Sequence, residues 1–269
     1  MRRAWWLCVL GIGLLSAGPR LASSQGISVP SSDVEWDALS TRLRQNPYVL
    51  ALADRETALA VVVAAVRTRR DGLFWAAYTP GICIVPGLDR IRMNGQSRRE
   101  AFRASAECLK RILLEFPALA EEPGAEMVRS MLARPLAEAL FEAGELADAD
   151  SIASEELRRL PRTEAGMRGN VQYEMNQVRG RVALERQQRV AAIKFLHRAG
   201  QAESSPQLTS FGPRLLLARD LLEAGETEAV LAHLDAVGAF WTGPDARKEI
   251  AEARRTILAG GIPDDVRWR

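Results

Sequence analysis

Three stretches of this chain align on one another, and their spacing limits the fold more than any other feature does. The first runs Leu136-Ala137-Glu138-Ala139-Leu140-Phe141-Glu142-Ala143-Gly144-Glu145; its counterparts run from Arg179 to Gln188 and from Leu217 to Glu226. The equivalent turn residues Gly144, Gln187 and Gly225 fall about forty residues apart, the period of stacked helix hairpins. Each unit reads as helix, tight turn, helix. Glycine after a helix supplies the left-handed residue that ends it, and glutamate is favoured at the positive end of the next helix. Ala137, Gly180 and Ala218 sit seven places before the turn, where close helix approach requires a small side chain. A unit this short cannot bury its apolar face alone, so its neighbours must cover it. The expected fold is all-α, an α-solenoid of stacked hairpins.

On these residues the chain resembles the tetratricopeptide repeat across residues 125–266. The small residue in the first helix, the Gly-acid turn, and Ala149 and Ala192 five places past the turn carry the likeness, with Pro161 closing the first unit and Ala199 late in the second. Gln187-Gln188 in place of Gly-acid and Val230 in place of a small residue depart from it, and the aromatic signature of the first helix is missing. Residues 168–266 resemble more narrowly the C-terminal part of a group of bacterial tetratricopeptide-like proteins, through the run Ser205 to Pro213, Phe240-Trp241 and Ala259 to Asp264. That likeness implies a fold and no activity. The repeat resemblance implies that the first helix of each pair lines a concave groove. It puts Met131, Arg134, Glu138 and Phe141 there from the first unit, Glu174, Gln177 and Arg181 from the second, and Leu215 and Arg219 from the third. Arg134, Arg181 and Arg219 then either form a ladder for acidic side chains or a peptide carboxylate, or pair with Glu138, Glu174 and Glu223 across adjacent helices.

Residues 1–25 read as a signal peptide. Arg2 and Arg3 precede an apolar stretch from Ala4 to Ala17, and Ala22-Ser23-Ser24 offers a cleavage site. The stretch is short for a membrane span of about 20 apolar residues; an uncleaved anchor is the alternative. Residues 26–97 form an N-terminal helical region, with a helix capped by Ser32 or Asp33, a core helix over the apolar run Ala58 to Val66, and an irregular loop at 80–97 in which Cys83-Ile84-Val85 is a candidate strand. Ser97 and Glu100 make a capping box. The repeats occupy 98–243, with Pro213 expected in the first turn of its helix. A capping helix and tail occupy 244–269, stopped by Gly260-Gly261-Ile262-Pro263.

Arg2, Arg3 and Arg20 lie in the N-terminal segment; without them 33 basic residues face 34 acidic ones, so no global field gathers nucleic acid or anionic lipid. Export leaves Cys83 and Cys108, which either pair or stay as buried free thiols; the second is the expectation. With His197 and His233 the only histidines, no metal or other cofactor is expected, and no nucleotide-binding or hydrolase motif occurs. The carboxylate pairs Glu138/Glu142 and Glu155/Glu156 read as solvated faces. The chain is therefore expected to be a periplasmic or secreted scaffold, without catalysis, binding a protein or peptide in its groove. Such a groove carries apolar and Arg character and no buried, perturbed carboxylate. The competing expectation is an envelope enzyme with a site near loop 80–97, lined by Asp89, Arg90 and Arg92.

Overall fold

The computed structural model describes residues 28–45, 55–67, 95–115, 124–160, 163, 165–264 and 267–268. Among the described residues there are eleven helices and no strand; the chain is all-α. The segment 1–25 and the loop with Asp89, Arg90 and Arg92 lie outside them, and residues 95–97 already belong to a helix.

Helices α1 (Asp33–Gln45), α2 (Arg55–Arg67) and α3 (Gly95–Glu115) come first. Ser32 caps α1, its hydroxyl accepting the Glu35 N–H at 3.4 Å. Helix α3 starts at Gly95 and runs through Ser97, so the expected capping box does not mark its first residue. Three pairs follow: α4 (Ala125–Glu142) with α5 (Leu146–Arg159), α6 (Ala165–Glu185) with α7 (Arg189–Gly200), and α9 (Leu216–Glu223) with α10 (Thr227–Phe240). Between the last two pairs Pro206–Phe211 forms a short helix, α8. Ser205 caps it by accepting the Leu208 N–H at 3.1 Å, and Pro206 fills the first position, where a missing N–H costs nothing. Gly212 to Leu215 then precede α9, so Pro213 lies ahead of that helix and not in its first turn. Helix α11 (Ala246–Leu258) packs on α10.

The three hairpin turns are built alike. Gly144, Gln187 and Gly225 have φ of 83°, 60° and 88°, and Gln187 is the only non-glycine residue with positive φ among those described. In each turn the next residue's N–H reaches back five residues: Glu145 to the Leu140 carbonyl at 2.9 Å, Gln188 to Ala183 at 2.8 Å, Glu226 to Leu221 at 2.9 Å. This is the Schellman closure, which satisfies carbonyls that the helix end leaves open. Gly260, at φ 81°, ends α11 with the same bonds, from Gly261 to Thr256 and from Gly260 to Ile257. The sequence placed the end of this helix at Gly260-Gly261-Ile262-Pro263; its likeness to the hairpin turns was hidden, because neither an acidic residue nor a further helix follows it.

First helices pack on first helices, α4 on α6 and α6 on α9, while α5 packs on α6 and α7 on α9 and α10. The positions that the repeat reserves for small side chains are buried: Ala137, Ala149, Ala192, Ala218 and also Val230 at 0% exposure. At Gly180 an added Cβ would run into the Leu217 side chain on α9, so close approach explains that glycine. Apolar side chains form two clusters, one from Trp36 to Val182 and one from Tyr173 to Trp268. Helix α6 contributes to both, with thirteen buried residues along its length. The N-terminal helices therefore share a core with the first hairpin. Cys108, on α3, is disulfide-bonded, which overturns the expectation of free thiols; its partner lies outside the described residues.

No Cβ clash exists at Gly144 or Gly225, so backbone conformation alone sets their worth. Gln187→Gly should stabilise the fold by about 0.5–1 kcal/mol, while Gly144→Ala and Gly225→Ala should each cost about 1 kcal/mol, because a Cβ in the left-handed region costs roughly 1–2 kcal/mol and glycine's extra freedom in the unfolded chain returns part of it. Urea melts of the three variants check the sign. Gly169→Ala should cost more, about 1–3 kcal/mol, because its Cβ would overlap the rigid Glu203 carbonyl.

Candidate functional site

Four of the groove candidates, Arg134, Glu138, Arg181 and Arg219, are held in ion pairs, the first three of them between elements around α4, α6 and α9. Arg181 on α6 is the centre. Its Nε donates to Asp220 of α9 at 2.6 Å and its Nη1 to Glu142 of α4 at 3.1 Å, and its guanidinium lies 4.1 Å from the centroid of the Phe141 ring. Glu142 also takes Arg98 of α3. Burial alone would lower the Arg181 pKa; the carboxylates of Asp220 and Glu142 more than offset this and hold it above the ordinary value. Arg134 Nε donates to Glu174 at 2.5 Å. Glu138 receives both bonds from Arg214 Nη1, at 2.8 and 2.6 Å, so a side chain just ahead of the third hairpin meets one of the first across α6.

These bonds keep the repeat's period. Arg181 stands 39 residues from each of its two partners, Arg134 stands 40 from Glu174, and Arg214 stands 76 from Glu138, close to two periods. Stacking places one unit's residue beside the matching region of the next. The same register lets the Gln177 side-chain carbonyl accept the Leu217 N–H at 2.9 Å, over 40 residues.

Each arginine of the proposed ladder therefore already has a carboxylate. Arg219 is bonded to Glu223 at 3.0 Å and to the Trp268 carbonyl at 3.1 Å. Glu174 pairs with Arg134 across adjacent helices, as the alternative had it; Glu223 meets Arg219 one turn away on the same helix, Arg181 takes Asp220 and Glu142, and Glu138 serves Arg214. Gln177 and Leu215 are buried, at 6% and 2% exposure, and line the interface between helices more than an open wall. Phe141 is a platform for Arg181. Beside this network, between the ends of α6 and α9, an open cleft of about 730 Å³ has Arg181, Arg189, Asp220 and Glu223 on its walls.

Two buried polar sites were not read from the sequence. Tyr173 and His233 meet inside the α6–α10 core, with the Tyr173 hydroxyl 3.1 Å from His233 Nε2 and donating to the Arg214 carbonyl at 3.0 Å. Burial pushes the His233 pKa down to about 4, and burial followed by the charge of Glu174 raises that of Tyr173. Glu156 is 1% exposed and corrects the expectation of a solvated Glu155/Glu156 face. Burial raises its pKa against the opposing pull of Arg129 and Ser130; Arg129 stands 3.2 Å away and the Ser130 hydroxyl donates at 3.2 Å. This perturbed carboxylate belongs to the α4–α5 interface and not to the face that carries the arginines. Among the described residues no group of three or more His, Cys, Asp or Glu is placed to hold a metal ion, and no described helix is long and apolar enough to cross a membrane. No family model matches the chain, and no curated protein or solved structure matches it.

Removing Arg181 takes the partner of Asp220 and one of the two partners of Glu142, so Arg181→Ala should cost about 3–5 kcal/mol, the usual result of breaking a buried ion pair from one side. Arg219→Ala, at a side chain 40% exposed, should cost under about 1 kcal/mol. His233 titrates near pH 6.5 when unfolded and about 4 when folded, so the unfolded state takes up the proton first. The stability it contributes is complete above pH 6.5 and is lost as pH falls toward 4, about 2 kcal/mol of it by pH 5. Melts of wild type and His233→Gln at pH 7 and pH 5 check this: the difference between the two proteins should shrink or reverse at the lower pH.

Proposed function

We propose that the three hairpins are tetratricopeptide-like units stacked as an α-solenoid, and that the chain is an exported scaffold whose concave face, formed by α4, α6 and α9, binds a protein or peptide partner. The observation that carries this is the network of ion pairs spaced by one repeat on that face. Ion pairs withdrawn from water are poor stabilisers, since desolvation consumes most of their attraction; apolar residues would hold the helices together at least as well. A shared face that keeps Arg98, Arg134, Arg181 and Arg214 matched to Glu138, Glu142, Glu174 and Asp220 fits a recognition surface better than a seam. Because both signs are present in balance, the partner that suits it is a protein segment with charges of both signs, exchanging its own pairs for those already there.

Two observations support export. The N-terminal segment has the composition of a signal peptide, and Cys108 is oxidised to a disulfide, a bond that persists in periplasmic and extracellular compartments and is rare in the cytosol. The periplasm or the medium is the proposed location, with a membrane anchored form if the N-terminal segment is retained. Nothing among the described residues favours the enzyme reading.

The test exchanges a pair without breaking it. In Glu138→Arg combined with Arg214→Glu the bridge can re-form while both charges change place. Affinity capture from envelope extracts should lose the partner although the melting temperature stays within a few degrees. Retention of the same partners by a folded double variant would remove the groove assignment.

A further inference from the structure

The α9 end of this face is already occupied. After α11 the chain turns back, and residues 267–268 lie against the start of α9. The Leu215 N–H donates to the Arg267 carbonyl at 2.7 Å, and Arg219 Nη1 donates to the Trp268 carbonyl at 3.1 Å. Leu215 and Arg219 are the two α9 positions that the repeat resemblance assigns to the groove. Trp268 is 1% exposed and joins the second apolar cluster. The Arg267 guanidinium lies 4.3 Å from the centroid of the Trp241 ring; its Nε donates to Glu249 at 2.5 Å, and its Nη1 donates to the Phe211 carbonyl.

A tail that only sealed a core would need no more than the buried indole. Here two successive main-chain carbonyls meet two fixed donors, an aromatic side chain is buried, and a cation lies on an indole beside a carboxylate. Main-chain bonds for affinity with pockets for side chains is how proteins hold extended peptides, and buried Trp and Arg carry most of the energy of such contacts.

We propose that the surface made by the start of α9, Trp241 and Glu249 is a receptor for an extended protein segment bearing an Arg-aromatic pair, and that the chain's own tail fills it as an intramolecular ligand which a partner entering the groove at α9 must displace. The first half stands on the contacts alone; the displacement rests on the groove reading.

The probe is a labelled peptide with the sequence of residues 262–269, added to the full chain and followed by fluorescence anisotropy. Trp268→Ala vacates the site in cis, so the peptide should bind it at least about tenfold more tightly than it binds wild type, the tail no longer competing at high effective concentration. Adding Arg219→Ala should weaken that binding again. A folded Trp268→Ala chain that binds the peptide no better than wild type would overturn the proposal. Hydrogen exchange on wild type decides the matter even if that variant unfolds: the Leu215 amide, which donates to the Arg267 carbonyl, should exchange faster than those of Leu221 and Leu234. Exchange of Leu215 only at the rate of those core amides would make the tail a fixed part of the core and sink the idea. Peptide binding with a partner list that ignores the charge exchange at Glu138 and Arg214 would leave the receptor and remove the groove; the reverse pattern would remove the receptor alone.

Discussion

A helix packed by five others is the constraint from which most of this structure follows. Helix α6 touches α4, α5, α7, α8 and α9, thirteen of its residues are buried, and such a helix keeps little solvated surface on which to put polar groups. Two glycines solve the steric part, Gly169 against the Glu203 carbonyl and Gly180 against Leu217. Hydrogen bonding solves the polar part. Asn170 donates to Gln207 and accepts from Ser205, Gln177 accepts from the α9 backbone, Tyr173 donates to the Arg214 carbonyl, and Arg181 binds carboxylates on both sides. Each bond removes the penalty of an unpaired group in a dry interior, and each also fixes how a neighbouring helix sits. The residues that let α6 be buried are the ones that set the register of the stack.

Much of this was legible in the sequence because the turns have strict chemistry. A left-handed residue is needed where one helix stops and the next begins, and aligning on Gly144 and Gly225 located the third such position at Gln187 although glutamine is a poor residue for it. The small positions were legible for the same steric reason. Other features were hidden. The partners of Arg181 and Arg214 sit one or two repeats away, and no local pattern reveals them; only adding the repeat length to a residue number would have done so. Glu156 looked solvated because its sequence neighbours are charged, yet the helix turns it toward Ser130 and away from Glu155 and Arg158. The Ser205-Pro206 pair carries a full cap and first-turn signal for α8, but a helix of six residues is too short to show a periodic apolar pattern.

The apolar clusters bear on how the chain divides. The first runs from Trp36 through α2, α3 and α4 to Val182, so the helices before residue 97 and those after residue 124 bury their side chains together. The ion pair from Arg98 to Glu142 ties α3 further into that body. Repeat signatures begin at α4, but the interior does not stop there.

The bridge between Glu138 and Arg214 has an energetic meaning of its own. Stacked repeats ordinarily interact only with adjacent units, and their stability is a sum of unit terms and interface terms along one dimension. A bond that skips the middle unit breaks that additivity. Here the first hairpin is joined to the residue leading into the third directly, as well as through α6.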